Sequence, residues 1–321
     1  MLTIFEYNSM YYIAFFICSL AAALLLGPVI IPQLTKLKFG QAIRAEGPKS
    51  HLSKGGTPTI GGLIFITAFL VPICFFLMQS YEVIYVLTGM FGFGMIGFLD
   101  DYIKVVRKHN LGLRAKQKIS LQLLMSLLLA IMALKFGTVI NIPVLGYALD
   151  LGILFIPFML FYFIAVDNAV NLTDGLDGLA ASVTTIVMFF YAYFAYIQDM
   201  PQMVMLALAM AGALIGYLKF NWHPAQVFMG DTGSLALGGI VAAMAVVLKL
   251  PLWVPLIGLI YVIEALSVVI QVGVYKKTKK RVFRMAPIHH HFELLGYTEK
   301  KIVLTFSLIT CVMGVLGVLL Y

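Results

Sequence analysis

Apolar stretches long enough to cross a bilayer recur about ten times along the chain, and short polar segments separate them. A helix that crosses the hydrocarbon core needs about 20 mostly apolar residues, and these stretches reach or approach that length. The pattern therefore predicts an all-α integral membrane protein with about ten transmembrane helices. We place these helices at 11–35, 58–79, 84–101, 119–137, 152–167, 178–197, 203–219, 234–250, 252–275 and 302–320.

The segment 138–151 interrupts this pattern. It is too polar and too rich in proline and glycine to span a membrane, and its polar and apolar residues alternate. Because alternation is typical of strands, we expect a short hairpin here, outside the membrane on the extracytoplasmic side.

The composition indicates the same environment, since 62% of the 321 residues are hydrophobic and 11% are charged. A soluble globular domain is about half apolar and about a quarter charged, so this excess cannot be buried in one water-soluble core. The three cysteines lie in apolar runs without metal-ligand spacing, which indicates packing residues. We expect residues 1–321 to form a single polytopic membrane domain.

The basic residues orient the predicted helices. Of the 22 Lys and Arg, all but Lys135 and Lys249 fall on one side of the membrane if successive helices alternate in direction. The positive-inside rule makes that side cytosolic and places both termini outside. Topology then accounts for the net charge of +8, which weakens a nucleic-acid-binding interpretation.

Five polar motifs fall on this predicted cytosolic side. The first is HLSKGGTPTIGG at 51–62. Its glycines allow close backbone approach to a ligand, and Lys54 is a point charge suited to phosphate. The alternative is a flexible loop that enters a helix, with Pro58 near the first turn.

The second motif is GFLDDYIK, in which Asp100 and Asp101 stand near the end of an apolar helix. Acids at membrane depth are costly and usually functional. Adjacent helical residues point about 100° apart, so the two carboxylates should not share a face and should have different roles. The alternative is two solvated acids at the end of a span that pair with Lys104.

The third motif is NAVNLTDGLDGLA, in which Asp174 and Asp177 are spaced to share a helix face. Asn171 and Thr173 add hydrogen-bonding groups. The segment contains no basic residue, so its acids indicate a metal or a polar ligand. Helix capping by Asn171 or Asp174 is the alternative.

The fourth motif, FNWHPAQVFMGDTGSLALGG, contains Asp231 in a turn that opens the predicted eighth helix. Such a helix start can hold phosphate while the carboxylate holds a cation, although Asp and Ser are also ordinary helix caps. The fifth motif, RMAPIHHHFELLG, contains three consecutive histidines. Consecutive residues rarely ligate one zinc ion, so we expect a hydrogen-bonding or cationic clamp on a substrate.

Glu264 lies apart from these motifs, in the middle of the predicted ninth helix. An intramembrane acid is either a functional group or half of a buried pair, and the sequence identifies no partner for it. The five motifs share one face, although structural caps should be scattered over both faces. We therefore expect the five cytosolic segments to form one active site.

These motifs, in this order, resemble those of the polyprenyl-phosphate N-acetylhexosamine-1-phosphate transferases. The resemblance extends from Lys54 to Glu293, and the ten predicted helices match that fold. The segment PIHHHFE resembles most closely the branch that transfers phospho-N-acetylmuramoyl-pentapeptide in bacterial peptidoglycan synthesis. Two residues depart from the family pattern: Ile60 replaces a common Met, and Asp167 stands where a small neutral residue is expected.

The resemblance implies a reaction at the cytosolic face of the bacterial plasma membrane. UDP-N-acetylmuramoyl-pentapeptide and undecaprenyl phosphate would give lipid I and UMP, with Mg²⁺ as cofactor. Such phosphoryl transfer needs positioning and charge neutralisation more than covalent chemistry. A direct attack and a two-step route through a covalent enzyme intermediate both remain open, as does a homodimer.

The resemblance also implies roles for individual residues. Asp231 would hold Mg²⁺, Lys54 and Lys116 would contact phosphate oxygens, and Asp100 would be the base for the lipid phosphate or a metal-site acid. Asp101 completes the expected catalytic set. The remaining expected substrate-binding residues are Thr59, Asn171, Asp174, Asp177, Asn221, Phe228, His289, His290 and His291.

Two other functions stay open at this point. A sister transferase that uses UDP-GlcNAc would share the Asp motifs, and only the histidine segment argues against it. An ion-coupled transporter would also have intramembrane acids, but these should lie near the midplane of the bilayer and not at one surface.

Overall fold

The computed structural model describes residues 9–37, 55–75, 80–106, 112–143 and 147–321. Its elements, in chain order, are α1 (Ser9–Lys36), α2 (Gly62–Phe75), α3 (Tyr81–Val106), α4 (Ala115–Ala133), β1 (Val139–Asn141), β2 (Ala148–Asp150), α5 (Phe155–Thr173), α6 (Leu179–Ile197), α7 (Pro201–Asn221), α8 (Gly230–Val247), α9 (Val254–Ile257), α10 (Leu259–Thr278), α11 (Ile288–Glu293) and α12 (Glu299–Leu320). The fold is all-α apart from one two-stranded hairpin.

Within the described residues, nine helices are long and apolar enough to cross a membrane. This confirms the predicted all-α integral membrane protein. The predicted second span corresponds to α2, which has only 14 residues, and the predicted continuation at 76–79 lies outside the described residues. The predicted ninth span is divided, because α9 ends at Ile257 and α10 starts only after Gly258.

The hairpin predicted within 138–151 is confirmed. Strands β1 and β2 pair antiparallel, with Val139 opposite Asp150 and Asn141 opposite Ala148. The Asp150 carboxylate accepts hydrogen bonds from the Thr138 hydroxyl (2.5 Å) and the Gly152 amide (3.0 Å), which tie the two ends of the hairpin together.

Helix α8 lies at the centre of the helical assembly, and every residue from Thr232 to Val247 is buried. It packs against α3 and α5. Small residues permit this close approach, since a Cβ added at Gly97 of α3 would clash with the backbone carbonyl of Asp231. Close packing of small residues is a general route to helix association in lipid, where burial of apolar surface from water is not available.

The peripheral helices present apolar side chains outward. Leu25 of α1, Leu124 of α4, Val269 of α10 and Leu319 of α12 are all more than three-fifths exposed. In water such surfaces would be costly, but in a bilayer they are in their preferred solvent.

One local prediction was wrong. Asp174 and Asp177 do not share a helix face, because α5 ends at Thr173 and α6 begins at Leu179. Both acids lie in the connection between the two helices. Gly178, immediately before α6, has φ +80°, a left-handed conformation that glycine adopts without strain.

Candidate active site

Three carboxylates meet where the last turns of α3 approach the start of α8. Asp100, Asp101 and Asp231 each place one oxygen within 4.8 Å of the other two. Asp231 lies in the first turn of α8, whereas Asp100 and Asp101 are buried within α3. We call this group the carboxylate cluster. Oxygen-rich groups of this kind are the usual ligands of Mg²⁺ and Ca²⁺.

Two lysines contact the carboxylate cluster. Lys104 Nζ lies 2.6 Å from Asp100 Oδ2 and 3.1 Å from Asp231 Oδ2. Lys118 Nζ, from α4, also lies 3.1 Å from Asp231 Oδ2. Among the described residues, these ion pairs set two positive charges against three carboxylates. Both ammonium groups are therefore held where anionic oxygens of a substrate could replace Asp231 as their partner.

The two adjacent acids of α3 have different partners. Asp101 Oδ2 accepts hydrogen bonds from the backbone amide (2.8 Å) and the hydroxyl (2.7 Å) of Thr232, so it caps the start of α8. Asp100 Oδ1 accepts from the Leu113 amide at 2.7 Å. The expectation that they cannot share one face was wrong, because both carboxylates reach the same cluster. Lys104, one turn further along α3, contacts both.

Asn171, in the last turn of α5, holds Asp231 from the opposite side. Its Nδ2 donates to Asp231 Oδ1 at 3.0 Å and lies 2.7 Å from Ser234 Oγ. Its Oδ1 accepts from Lys118 Nζ at 3.5 Å. Asn171 thereby contacts both Asp231 and Lys118; its expected role in substrate binding stays a prediction.

Lys118, not Lys116, is the α4 lysine of the cluster. The Lys116 side chain is exposed. Lys116 and Lys118 are two residues apart, so their side chains point about 200° apart around α4. Sequence reasoning missed Lys118 because both lysines lie in the same basic segment. The only signal that separates them is the phase of α4, which starts at Ala115. Lys54 lies outside the described residues.

Hydrogen bonds that involve backbone groups join the loops around the cluster. Asn221 Oδ1 accepts from the Gly178 amide (3.1 Å), and its Nδ2 donates to the Val227 carbonyl (2.9 Å). The amide of Phe228 donates to the Pro58 carbonyl at 2.8 Å. These bonds fix the first, third and fourth motifs relative to one another. The Phe228 ring is half-buried.

Thr59 and Asp174 also border this region. A Cβ added at Gly230 would fall close to Thr59 Oγ1 and to Asp101 Oδ2, so Thr59 lies beside the start of α8. Burial raises the pKa of the Asp174 carboxyl well above its usual range, and the nearby Asp231 carboxylate raises it further. A raised pKa favours the protonated form, which can donate a hydrogen bond to an oxygen of a ligand.

The three histidines of the fifth motif have three different partners. His289 Nδ1 lies 3.0 Å from Glu264 Oε2, and both side chains are buried. His290 Nδ1 lies 2.6 Å from Glu293 Oε2, whereas His291 Nδ1 accepts from the backbone amide of Arg284 at 3.1 Å. The expected three-histidine clamp is therefore divided, because consecutive residues of α11 point about 100° apart.

His289 is the histidine that reaches the third motif. A Cβ added at Gly175 would clash with its imidazole, so the ring packs directly against the α5–α6 connection. Glu264 thus gains the partner that the sequence did not identify. Asp167, the other unassigned acid, is buried in α5, and its Oδ2 accepts from Gln122 Nε2 at 2.7 Å.

A second polar cluster lies beside Asp177. One ligand atom from each of Asp177, His223 and Glu299 lies within 4.8 Å of the others. Sequence reasoning had singled out only Asp177. His223 and Glu299 gave no signal, since one follows α7 in a loop and the other starts α12 as an ordinary first-turn acid.

The sequence of this chain matches a known family of glycosyl transferases. The sequence model of glycosyl transferase family 4 matches residues 83–249, which is more than half of the chain. This protein is therefore a membrane-embedded member of that family.

Curated relatives narrow the assignment. Phospho-N-acetylmuramoyl-pentapeptide-transferase of Clostridium perfringens (strain 13 / Type A) is 55% identical over 300 residues, covering 92% of this chain and 94% of the relative. The proteins of the same name from Clostridium botulinum (strain Eklund 17B / Type B) and Clostridium kluyveri (strain ATCC 8527 / DSM 555 / NBRC 12016 / NCIMB 10680 / K1) are 52% and 51% identical, over 92% and 96% of both chains. The chain belongs to the phospho-N-acetylmuramoyl-pentapeptide-transferase family, which confirms the resemblance.

Proposed function

We propose that this enzyme transfers phospho-N-acetylmuramoyl-pentapeptide from its UDP derivative to undecaprenyl phosphate, giving lipid I and UMP in peptidoglycan synthesis. In the transfer, an oxygen of the lipid phosphate forms a bond to the sugar-bearing phosphorus of the nucleotide. The bond between that phosphorus and the UMP oxygen breaks, and UMP leaves. The carboxylate cluster with its two lysines is the observation that carries this proposal, together with the names of the relatives.

The carboxylate cluster fits a divalent cation. Asp231 would be its principal ligand, as the resemblance implies, and its carboxylate is positioned by Asn171 on one oxygen and by both lysines on the other. Mg²⁺ bound there would neutralise charge on the diphosphate. Asp101 accepts hydrogen bonds from the Thr232 amide and hydroxyl. Its main role would therefore be to hold the start of α8, and with it Asp231, in position.

Lys104 and Lys118 would supply the remaining positive charge. Each pairs with Asp231 in the structure, and each could exchange that carboxylate for a diphosphate oxygen as the substrate enters. Charge-assisted contacts of this kind are worth most in a site shielded from water. Asp100, which is paired with Lys104, is our candidate base for the lipid phosphate or a metal-site acid.

The nucleotide would lie along the loops that the hydrogen bonds above hold together. Phe228 could stack on uracil through its half-exposed ring, and Asp174 and Asn221 would contact polar groups of the nucleotide. The histidines of α11 would contact the sugar, the diphosphate or the peptide. All these groups would face the cytosol at the surface of the plasma membrane, where a lipid phosphate and a soluble nucleotide can meet.

The test is release of UMP by the purified protein. Radiolabelled UDP-N-acetylmuramoyl-pentapeptide, undecaprenyl phosphate and Mg²⁺ are expected to give labelled lipid and UMP in equal amounts, and omission of either the lipid phosphate or Mg²⁺ should stop both. Efficient turnover with UDP-GlcNAc, and none with the muramoyl nucleotide, would assign the chain to the sister reaction. Absence of product from either nucleotide would contradict the transferase proposal.

A further inference from the structure

Three segments that are distant in sequence meet at Asp177, His223 and Glu299. Asp177 lies in the α5–α6 connection, His223 in the α7–α8 connection and Glu299 in the first turn of α12. His223 Nδ1 lies 3.0 Å from Asp177 Oδ2 and 3.5 Å from Glu299 Oε2. We call this group the Glu299 triad.

Backbone donors complete the Glu299 triad. The Asp177 amide donates to Glu299 Oε2 at 3.3 Å, so a side chain of α12 binds the backbone of the α5–α6 connection. The amide of Ala225 donates to Asp177 Oδ2 at 3.1 Å. Asp177 Oδ2 therefore lies within hydrogen-bond distance of the His223 imidazole and accepts from the Ala225 amide, whereas Glu299 Oε2 lies near the same imidazole and accepts from the Asp177 amide. These contacts join the α5–α6 and α7–α8 connections to the start of α12.

Burial makes the arrangement specific. The side chains of Asp177 and Glu299 are 2% and 8% exposed, whereas His223 is 36% exposed. Buried carboxylates are costly unless charged or hydrogen-bonding groups surround them. In this arrangement the two loops and the start of α12 satisfy each other's polar groups.

The loops that the triad joins also border the carboxylate cluster. Gly178, next to Asp177, donates its amide to Asn221 Oδ1. The loop that contains His223 and Ala225 continues to Phe228, whose backbone pairs with Pro58 and Gly61. A shift of the triad would therefore move the wall of the predicted nucleotide site.

We propose that Glu299 is a positioning residue for the uridine end of the nucleotide substrate, acting through Asp177 and His223. This inference rests on the proposed function of the same site. Glu299 sets the position of the α5–α6 and α7–α8 connections, and those connections contact the nucleotide. Because the contacts of Glu299 with Asp177 and His223 lie at these connections, we expect its loss to affect the nucleotide more than the lipid phosphate, which would react at the carboxylate cluster.

The test compares Glu299→Ala and Glu299→Gln with a matched control, Thr298→Ala. Thr298 caps the same helix start, its side chain accepting from the Lys301 amide at 3.4 Å. We expect Glu299→Ala to raise both the Kd for UMP and the KM for the nucleotide-sugar at least about fivefold. The KM for undecaprenyl phosphate and kcat should stay within about twofold of wild type. Thr298→Ala should change none of these quantities beyond about twofold.

Glu299→Gln keeps an acceptor for the Asp177 amide but removes the charge, so it should restore part of the UMP affinity. If Glu299→Ala fails to fold, UMP binding by Glu299→Gln tests the inference instead. Adding His223→Ala to Glu299→Ala should weaken UMP binding by less than the product of the two single effects, because both side chains act on the same loops. Unchanged UMP affinity in both Glu299 variants would overturn the inference. It would also be overturned if Glu299→Ala weakened the nucleotide-sugar and undecaprenyl phosphate equally and Thr298→Ala had the same effect. Because UMP binding is measured without turnover, this result is distinct from failure of the transferase reaction itself.

Discussion

Glu264 of α10 and His289 of α11 form a buried pair in which Oε2 and Nδ1 lie 3.0 Å apart. The pair joins the divided ninth membrane segment to the histidine motif, and the His289 ring packs under Gly175. Glu264, which has no partner identifiable from the sequence, thus links α10 through His289 to the connection between α5 and α6.

Removing one partner of this pair should be costly. We expect Glu264→Ala to lower the free energy of unfolding by about 3 kcal/mol, because it leaves His289 buried without its carboxylate. Replacing both residues by Leu should recover much of that stability without restoring activity. Melting temperature in detergent and UMP release measure the two effects. A Glu264→Ala protein that is as stable as wild type would contradict the prediction.

Lys118 and Lys116 provide a matched comparison on one helix. Lys118→Ala should reduce kcat/KM at least about a hundredfold, since a cation beside Asp231 is lost from the charge-stabilising site. Lys116→Ala, whose side chain is exposed, should stay within about threefold of wild type. Steady-state kinetics of both variants measures this difference, and a larger loss in Lys116→Ala would return the phosphate-binding role to that residue.

Asp231 should govern the metal dependence. We expect a chelator to abolish UMP release by the wild type and Mg²⁺ to restore it. Asp231→Asn should lower turnover at least about a thousandfold, and excess Mg²⁺ should not rescue it, because metal-bound charge stabilisation is worth several kcal/mol. Asp150→Asn, which alters an exposed carboxylate in the hairpin, is the control. Near-normal activity of Asp231→Asn with unchanged Mg²⁺ dependence would remove Asp231 from the site.

Asp100 and Asp101 should separate into different phenotypes. Asp101→Asn weakens the acceptor for Thr232 at the start of α8, so we expect it to reduce stability by about 1 kcal/mol in addition to lowering activity. Asp100→Asn should lower kcat at saturating substrate with little change in melting temperature. If Asp100→Asn raised only the KM for the lipid, Asp100 would not be the base. Thr232→Val removes the hydroxyl that donates to Asp101 and leaves both carboxylates intact, so it tests that contact by itself.

The predicted orientation can be tested with single cysteines. After Cys18, Cys74 and Cys311 are replaced by Ser, a cysteine at Thr278 should react with an impermeant thiol reagent only from the cytosolic side. A cysteine at Tyr147, which is 71% exposed in the hairpin, should react only from outside. The expectation follows from the distribution of Lys and Arg. The reverse labelling pattern would place the active site on the other face of the membrane.

Local sequence was enough to predict much of this protein. Runs of apolar residues determine where helices form in a bilayer, because every backbone polar group there must be satisfied within the segment. The alternation at 138–151 predicted the hairpin for a similarly local reason. Short motifs of polar residues at helix ends identified Asp100, Asp101, Asn171 and Asp231, which do meet in the structure.

Tertiary structure decided the contacts between distant segments. Lys118 reaches Asp231 across 113 residues, and Glu299 reaches the Asp177 amide across 122. Such contacts depend on the rotation of each helix about its axis, and a shift of one residue turns a side chain by about 100°. An apolar run fixes the length of a membrane helix but only weakly its rotation, since lipid accepts apolar residues on every face. Packing against α8, where glycines allow close approach, sets that rotation and so selects which polar side chains face one another.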